Sequence, residues 1–456
     1  MANLSESRFR RAFVATVTVL VVLVGGFVAL TSQQGPKLSS AQIDVGGVVT
    51  KSNEQLRMFA NQQVRPVTAA QVRITPSARF AVTTAGSVIA VQFANPLRYG
   101  TRYRVSVDGV ASASDGQSSS ITYEFSTESP TLYYLHRSGG SGPDQIMTTG
   151  IRQPSLRVAY SAPRIQAFAA FPHALAVVTL SASGHSSLNL IGSQGQVEHI
   201  NLPGAGTVDQ LQADEDSGIL GFTFTDAGPT PKRAYSDTLF TVDPNGTAVP
   251  QPVKGLDGQP VSVLDWSFVP SSSEIVAQNI DESTILIDTA KANSVTPLGT
   301  FLELGAVAAD GKSVVVVDVN GQLQLSLATG KTTRLSPALL HGATVMGAAA
   351  ETLTTGWLQQ ESVYDKKIRG FVSHLVLNGA GQARELFHPV NPKGSIESFS
   401  VSPNSEYVAI ETVPNVSTSV DDGYVVNGRS KSVTTNFVDI ATGALVKSVT
   451  GFGVQW

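Results

Sequence analysis

The seven histidines, His136, His173, His185, His199, His341, His374 and His388, are the side chains here most able to ligate a transition metal or carry a proton near neutral pH. None forms HExxH or another helical i, i+4 pair, so no metal site is legible in their spacing. In a strand-rich chain, spacing does not say which side chains converge. The expectation is therefore turn and surface histidines, with no cofactor and no metal. Acidic turns at Asp214-Glu215-Asp216, Asp281-Glu282 and Asp421-Asp422 offer oxygen ligands without the pattern of a calcium loop, and read as solvated turns. No GxSxG marks a hydrolase nucleophile. The absence of Cys excludes disulfides, thiolate metal sites and thiol catalysis. A pair of glycosidase carboxylates on separate segments would leave no local signature, so enzymatic activity stays open, with the balance against it.

Four residues stand out for recognition instead. Tyr424, Arg429 and Lys431 lie in the long segment between Ile410 and Phe437, and Tyr364 opens the run Tyr364-Asp365-Lys366-Lys367. Long loops on a rigid scaffold carry function, and exposed aromatics and arginine anchor partners. A structural role for the long segment, packing over a neighbouring element, is an equal alternative.

The elements that must hold these residues are strands. The chain has 456 residues with 41 Gly and 23 Pro, only 14% charged residues and a net charge of -4. That is the texture of short strands joined by turns, without the charge that nucleic acid demands of a partner. The lack of Cys fits a bacterial envelope protein better than a secreted eukaryotic one. Ala12–Leu30 is free of charge and as a helix spans roughly 28 Å, close to the hydrocarbon thickness. Arg8, Arg10 and Arg11 precede it and the next basic residue is Lys37. The expectation is a cytoplasmic tail (1–11), a transmembrane anchor in the lipid bilayer (12–30), a spacer (31–36) and a body outside the cytoplasm. A cleaved signal is disfavoured by Phe27 and Leu30 near the natural cut sites.

Over 37–129 the alternation is of period 2. Ile89, Val91 and Phe93 share a face, as do Tyr103, Val105 and Val107, and Ile121, Tyr123 and Phe125. Turn signals at Asn95-Pro96, Asp108-Gly109 and Asp115-Gly116 separate the runs, which predicts a small two-sheet sandwich. Ile74-Thr75-Pro76, Pro96-Leu97, Gly100-Thr101, Tyr103, Gly109-Val110 and Phe125-Ser126-Thr127 resemble the bacterial Ig-like domains of the SbsA type. That resemblance implies an envelope spacer or adhesion module without an active site.

Over 130–456 one unit recurs: an apolar strand, a polar turn, a strongly β strand, then two shorter strands. Copies begin near Arg164, Val208, Val261, Leu302, Thr344 and Ile396, roughly 40 to 55 residues apart, the period of propeller blades. Ser402-Pro403-Asn404-Ser405 with Asp439, Thr442 and Gly443, and Ala309-Asp310-Gly311-Lys312, resemble the TolB-type and WD-like propeller repeat. The final FGVQW reads as a first strand, and residues 131–160 as three strands lacking one. Joined, they complete a seventh blade with Val454 and Trp456 buried, six or eight blades being the neighbouring counts. The whole is an all-β chain: anchor, Ig-like β-sandwich, β-propeller. The function expected is binding or scaffolding, with the propeller face on a protein or cell-envelope polymer. The alternative is a lactonase- or glycosidase-like hydrolase using a channel-bound metal or carboxylates.

Overall fold

The computed structural model describes residues 13, 16–20 and 35–456, apart from 115, 141, 154, 231–232, 292–293, 343–349 and 380–381. Residues 13 and 16–20 are helical and exposed. Most of the expected anchor 12–30 lies outside the described residues, among which no helix is long and apolar enough to cross a membrane. The chain divides into two compact units, Met1–Glu128 and Ser129–Trp456.

In the first unit the alternating runs form two antiparallel sheets. One orders its strands Leu38–Gln42, Gln55–Ala60, Val88–Phe93 and Phe80–Ala85; the other orders Val72–Thr75, Arg102–Ala111 and Ser118–Ser126. Ile89, Val91 and Phe93 of the first and Tyr103, Val105 and Val107 of the second are buried, as a half-buried pleat requires. Phe125 stacks on Tyr103 at 5.7 Å and meets Phe93 of the other sheet at 6.2 Å, whereas Tyr123 is only half-buried. The turn expected at Asp108-Gly109 is instead a β-bulge inside Arg102–Ala111. Gly109 takes φ +64, and the register shifts between Val107 and Val110; a glycine reaches that conformation without strain. The Gln71 side-chain amide donates to the Asp108 and Gly109 carbonyls at 3.0 and 3.1 Å, satisfying groups the bulge removes from the ladder.

The second unit contains, among the described residues, seven four-stranded antiparallel sheets. Six are simple meanders whose first strands are Ile165–Phe171, Gly206–Asp214, Val263–Phe268, Glu303–Val307, Ala350–Leu353 and Ser395–Val401. They make up the second to seventh sheets in chain order. The first sheet is shared between the ends of the unit: Leu156–Ala162, Asp144–Gly150 and Thr131–His136 are completed by Phe452–Gln455, with Phe452 opposite Leu135 and Gln455 opposite Tyr133.

Second strands such as Ala174–Leu180 and Ser313–Asp318 are near-continuous apolar runs because both of their faces are covered. Phe222 and Phe224 of the third sheet pack with Ala176 and Val178 of the second. Trp266 of the fourth shares a core with Leu239 of the third, Val276 of the fourth with Val314 of the fifth, and Val315 of the fifth with Ala350 of the sixth. Leu358 of the sixth packs with Ile410 of the seventh, and Val413 of the seventh with Leu135, Ile165 and Phe452. The chain of cores thus returns to its origin, which is the arrangement of a β-propeller. Glutamines on several strands add polar links between adjacent sheets: Gln210, Gln212 and Gln360 donate to the carbonyls of Leu264, Trp266 and Ile396 at 2.8, 2.8 and 3.1 Å.

On the closing strand Phe452–Gln455 the buried apolar side chain is Phe452. Val454 and Trp456, expected inside, are half-buried; Trp456 lies edge-on to Phe437 at 5.8 Å. Phe452 is 8% exposed and shares a core with three sheets. Phe452→Ala should therefore cost about 3 kcal/mol, read as a lowered melting temperature, while Val454→Ala should cost well under half of that. Equal effects of the two would contradict this assignment.

Candidate functional site

In a meander sheet, the connections between second and third strands all emerge at one end of the ring. Two of these are exceptional, and they belong to neighbouring sheets. In the sixth, strands Gly356–Asp365 and Gly370–Gly379 make a long hairpin, with its tip at 366–369. In the seventh, the segment between Tyr407–Val413 and Thr434–Asp439 is the long insertion.

The insertion is folded by its own hydrogen bonds. Asn415 caps the short 3-10 turn Val416–Thr418, the Asp422 N–H donates to Arg429 O at 3.0 Å, and Lys431 N–H to Val420 O at 2.9 Å. Its inner side is fastened by Arg137, which sits between the second and third strands of the first sheet. The Arg137 guanidinium donates to Asp422 Oδ2 at 2.5 Å, Asn427 O at 2.8 Å, Ile165 O at 3.2 Å and Gln166 O at 2.7 Å. Both side chains of the Arg137–Asp422 pair are almost wholly buried, at 3% and 2% exposure. Asp422, expected in a solvated turn, is an interior carboxylate.

Tyr424 lies beneath the same guanidinium, 3.6 Å from ring centroid to Arg137 Cζ. Its hydroxyl donates to Asp144, whose carboxylate also accepts from the N–H groups of Ile165 and Ser138 at 3.0 and 2.9 Å. Burial first, and Asp144 second, hold the Tyr424 phenol well above its ordinary pKa. Asn427 Nδ2 reaches Asp209 of the third sheet at 2.7 Å. Arg429 lies 5.7 Å from the Phe452 ring centroid, and Lys431 Nζ donates to Gly139 O at 3.0 Å. A cleft of about 250 Å³ beside the insertion is lined by Arg429, Glu397 and Asp421 among others. Of the four sequence candidates, Tyr424 and Arg429 are thus half-buried against the ring, and Lys431 is exposed with its bond to Gly139 O. Tyr364 stands in solvent at 54% exposure, edge-on to the equally exposed Phe371 at 5.5 Å.

Two carboxyls on first strands are shifted. Burial raises Asp265 of the fourth sheet above its ordinary value, and burial lifts Glu351 of the sixth to about 7, against its hydrogen bonds from Val401 N–H at 3.0 and 3.2 Å. A carboxyl poised near neutrality is chemically useful.

The histidines hold what their spacing concealed. His341 precedes the sixth sheet, His374 lies on its third strand, Glu385 on its fourth, Arg384–Phe387, and His388 just beyond. His341 Nε2 and His374 Nδ1 both lie 2.8 Å from Glu385 Oε2, and His388 Nδ1 lies 2.5 Å from Oε1. The His341 and His374 rings stack at 4.1 Å. Desolvation lowers the His374 pKa, the Glu385 bond opposing it, and hydrogen bonds from His388 and His374 lower that of Glu385 against its own desolvation. Glu361, directly opposite His374 in the strand pair, is fully buried, and neither of its oxygens has a hydrogen-bond partner among the described residues. The acidic turns are occupied by their own backbone: Asp281 Oδ1 accepts from Ser283 N–H at 3.0 Å and Asp421 Oδ1 from Gly423 N–H at 2.6 Å.

Two measurements follow from this geometry. Arg137→Met leaves Asp422 buried and unpaired and should lower stability by about 3–5 kcal/mol, whereas removing both charges in Arg137→Met/Asp422→Leu should cost distinctly less; denaturant titration of the four species decides. Glu351 is raised in the fold, from 4.5 to about 7, so its contribution is full below the lower value and lost as pH rises through the upper one. Melting temperature should therefore fall from about pH 5 to about pH 8, and Glu351→Gln should flatten that slope.

No family model matches the chain, and no curated protein matches it. Among solved structures, TolB from Acinetobacter baumannii is similar at 11% identity, over 78% of this chain and 79% of that one, with a TM-score of 0.37. The β-propeller domain of the Trilobed protease from Pyrococcus furiosus is similar at 10% identity over 74% and 90%, with a TM-score of 0.42. The GH74 enzyme from Niastella koreensis is similar at 12% identity over 70% and 53%, with a TM-score of 0.42. At these identities and scores no activity, ligand or partner passes to this chain, and the propeller rests on its sheets alone.

Proposed function

We propose that this is a membrane-anchored, extracytoplasmic binding protein. In this reading a seven-bladed propeller engages a protein or cell-envelope polymer, and an SbsA-type Ig-like domain acts as spacer to a single-pass anchor at 12–30 with the N-terminus cytoplasmic. The observation that carries the binding role is the exposed apolar surface on the two long connections. Tyr364 and Phe371 are each 54% exposed on the hairpin, and on the insertion Val420 is 59% and Val425 96% exposed. Aromatic side chains held in water on a rigid scaffold fit recognition better than stability. Lys366, Lys367 and Arg369 lie between the pair in sequence and favour a partner carrying negative charge. Tyr424 and Arg429 contribute by holding the insertion in place, and Lys431 by its bond to Gly139.

The hydrolase reading retains one support of its own, the near-neutral carboxyl of Glu351 on a first strand. The readings separate in one experiment on full-length protein expressed in cells. After alkaline washing of membranes and chemical cross-linking, the wild type should stay in the membrane fraction and carry a defined partner. Tyr364→Ala/Phe371→Ala should lose that partner by at least tenfold with its melting temperature unchanged. Release by the wash contradicts the anchor, and undiminished capture contradicts the binding face. Turnover of a glycan or lactone panel that Glu351→Gln abolishes would favour the enzyme.

A further inference from the structure

We propose that His341, His374 and Glu385 form a binding site for a divalent metal ion of the zinc class. The three come from a connection and two adjacent strands of the sixth sheet, so none of the spacing is local. Their ligand atoms, His341 Nε2, His374 Nδ1 and a Glu385 carboxylate oxygen, all lie within 4.8 Å of one another. A tetrahedral ion with bonds of about 2.0–2.1 Å sets its ligands roughly 3.3 Å apart. The 2.8 Å separations of both nitrogens from Glu385 Oε2 need open by only some tenths of an ångström to admit it.

The donor set selects the ion. Two imidazole nitrogens and one carboxylate suit Zn(II), Co(II), Ni(II) or Cu(II), whereas Ca(II) and Mg(II) prefer oxygen throughout. His388 bonds Glu385 Oε1 at 2.5 Å and holds the carboxylate in orientation, as a partner behind a metal ligand does. Glu361 adds a buried carboxylate on the strand beside His374, without a hydrogen-bond partner among the described residues. A cation nearby offsets the cost of that charge. His341 and His388 are exposed at 34% and 55% in their side chains, so an ion has a route in and a coordination position open to water. The site also ties the connection before the sixth sheet to that sheet's outer strands, beside the contact of Ala338 N–H with Asn378 Oδ1 at 3.0 Å.

The test is titration of Zn(II), and separately Co(II), into chelator-stripped full-length protein. The expected result is one equivalent bound, with Co(II) developing the visible absorption of a four-coordinate nitrogen–oxygen site. His341→Ala, on a connection and therefore tolerant of change, should weaken Zn(II) binding at least tenfold, and Glu385→Gln likewise. His173→Ala, in a remote turn, should leave it unchanged. His374 is more enclosed, so His374→Gln is read together with its melting temperature. Absence of stoichiometric binding, or binding that survives His341→Ala and Glu385→Gln alike, overturns the site. Weak binding spread equally over His173 and His341 overturns it as well.

Discussion

Arg137 reaches the interior from a connection in the first sheet, and its guanidinium there hydrogen-bonds residues as far as 290 positions away in the chain. Four of its five N–H donors go to a carboxylate and three backbone carbonyls, drawn from the insertion and from the first strand of the second sheet. A planar, permanently charged fork is the one side chain that can satisfy this geometry while stacking on an aromatic face. The stack is present on Tyr424 at 3.6 Å and on Phe452 at 4.9 Å. One residue therefore touches the strand that closes the ring, the segment that covers the closure and the sheet that follows it.

A ring of antiparallel sheets has one vulnerable place, the junction between its first and last strands, where no covalent chain crosses. Elsewhere the chain itself runs from each sheet to the next, and adjacent sheets share an apolar core. At the junction the work falls to the pairing of Phe452–Gln455 with Thr131–His136, to the core around Phe452, and to a polar seam. Lys447 extends that seam on the outer side, donating to Gly150 O and Gln153 O at 2.8 and 2.9 Å. The insertion lies over this junction, which explains why so long a loop is so well bonded inward. With its inner side committed to the clamp, the valines on its outer side are left in water.

The propeller was legible in the sequence because strand repetition is a local signal. The unit starts read near Arg164, Val208, Val261, Leu302 and Ile396 fall within two residues of the first strands observed, the start near Thr344 lies outside the described residues, and FGVQW supplies the completing strand. The misses share a cause. Asp108-Gly109 carries a turn dipeptide, but Gln71 supports the freed carbonyls and the strand continues as a bulge. Asp422 carries the composition of a solvated turn, and only the arrival of Arg137 from the far end of the unit buries it. The histidine cluster is illegible for the same reason: His341, His374 and Glu385 meet through strand register and a connection, neither of which their spacing encodes. The exposure of Tyr364 is legible because an aromatic followed at once by Asp365, Lys366 and Lys367 reads as a loop from its neighbours alone.

The central claim is that the two ends of this unit form one sheet, and the absence of Cys makes that directly measurable. Tyr133 and Gln455 are opposite partners in the closing strand pair, so their Cα atoms lie about 4.5–5.5 Å apart, within reach of a disulfide. In Tyr133→Cys/Gln455→Cys, mild oxidation should give an intramolecular disulfide in nearly every molecule, with a melting temperature above that of the reduced form. Free thiols after oxidation, or cross-links only between molecules, would contradict the closed ring.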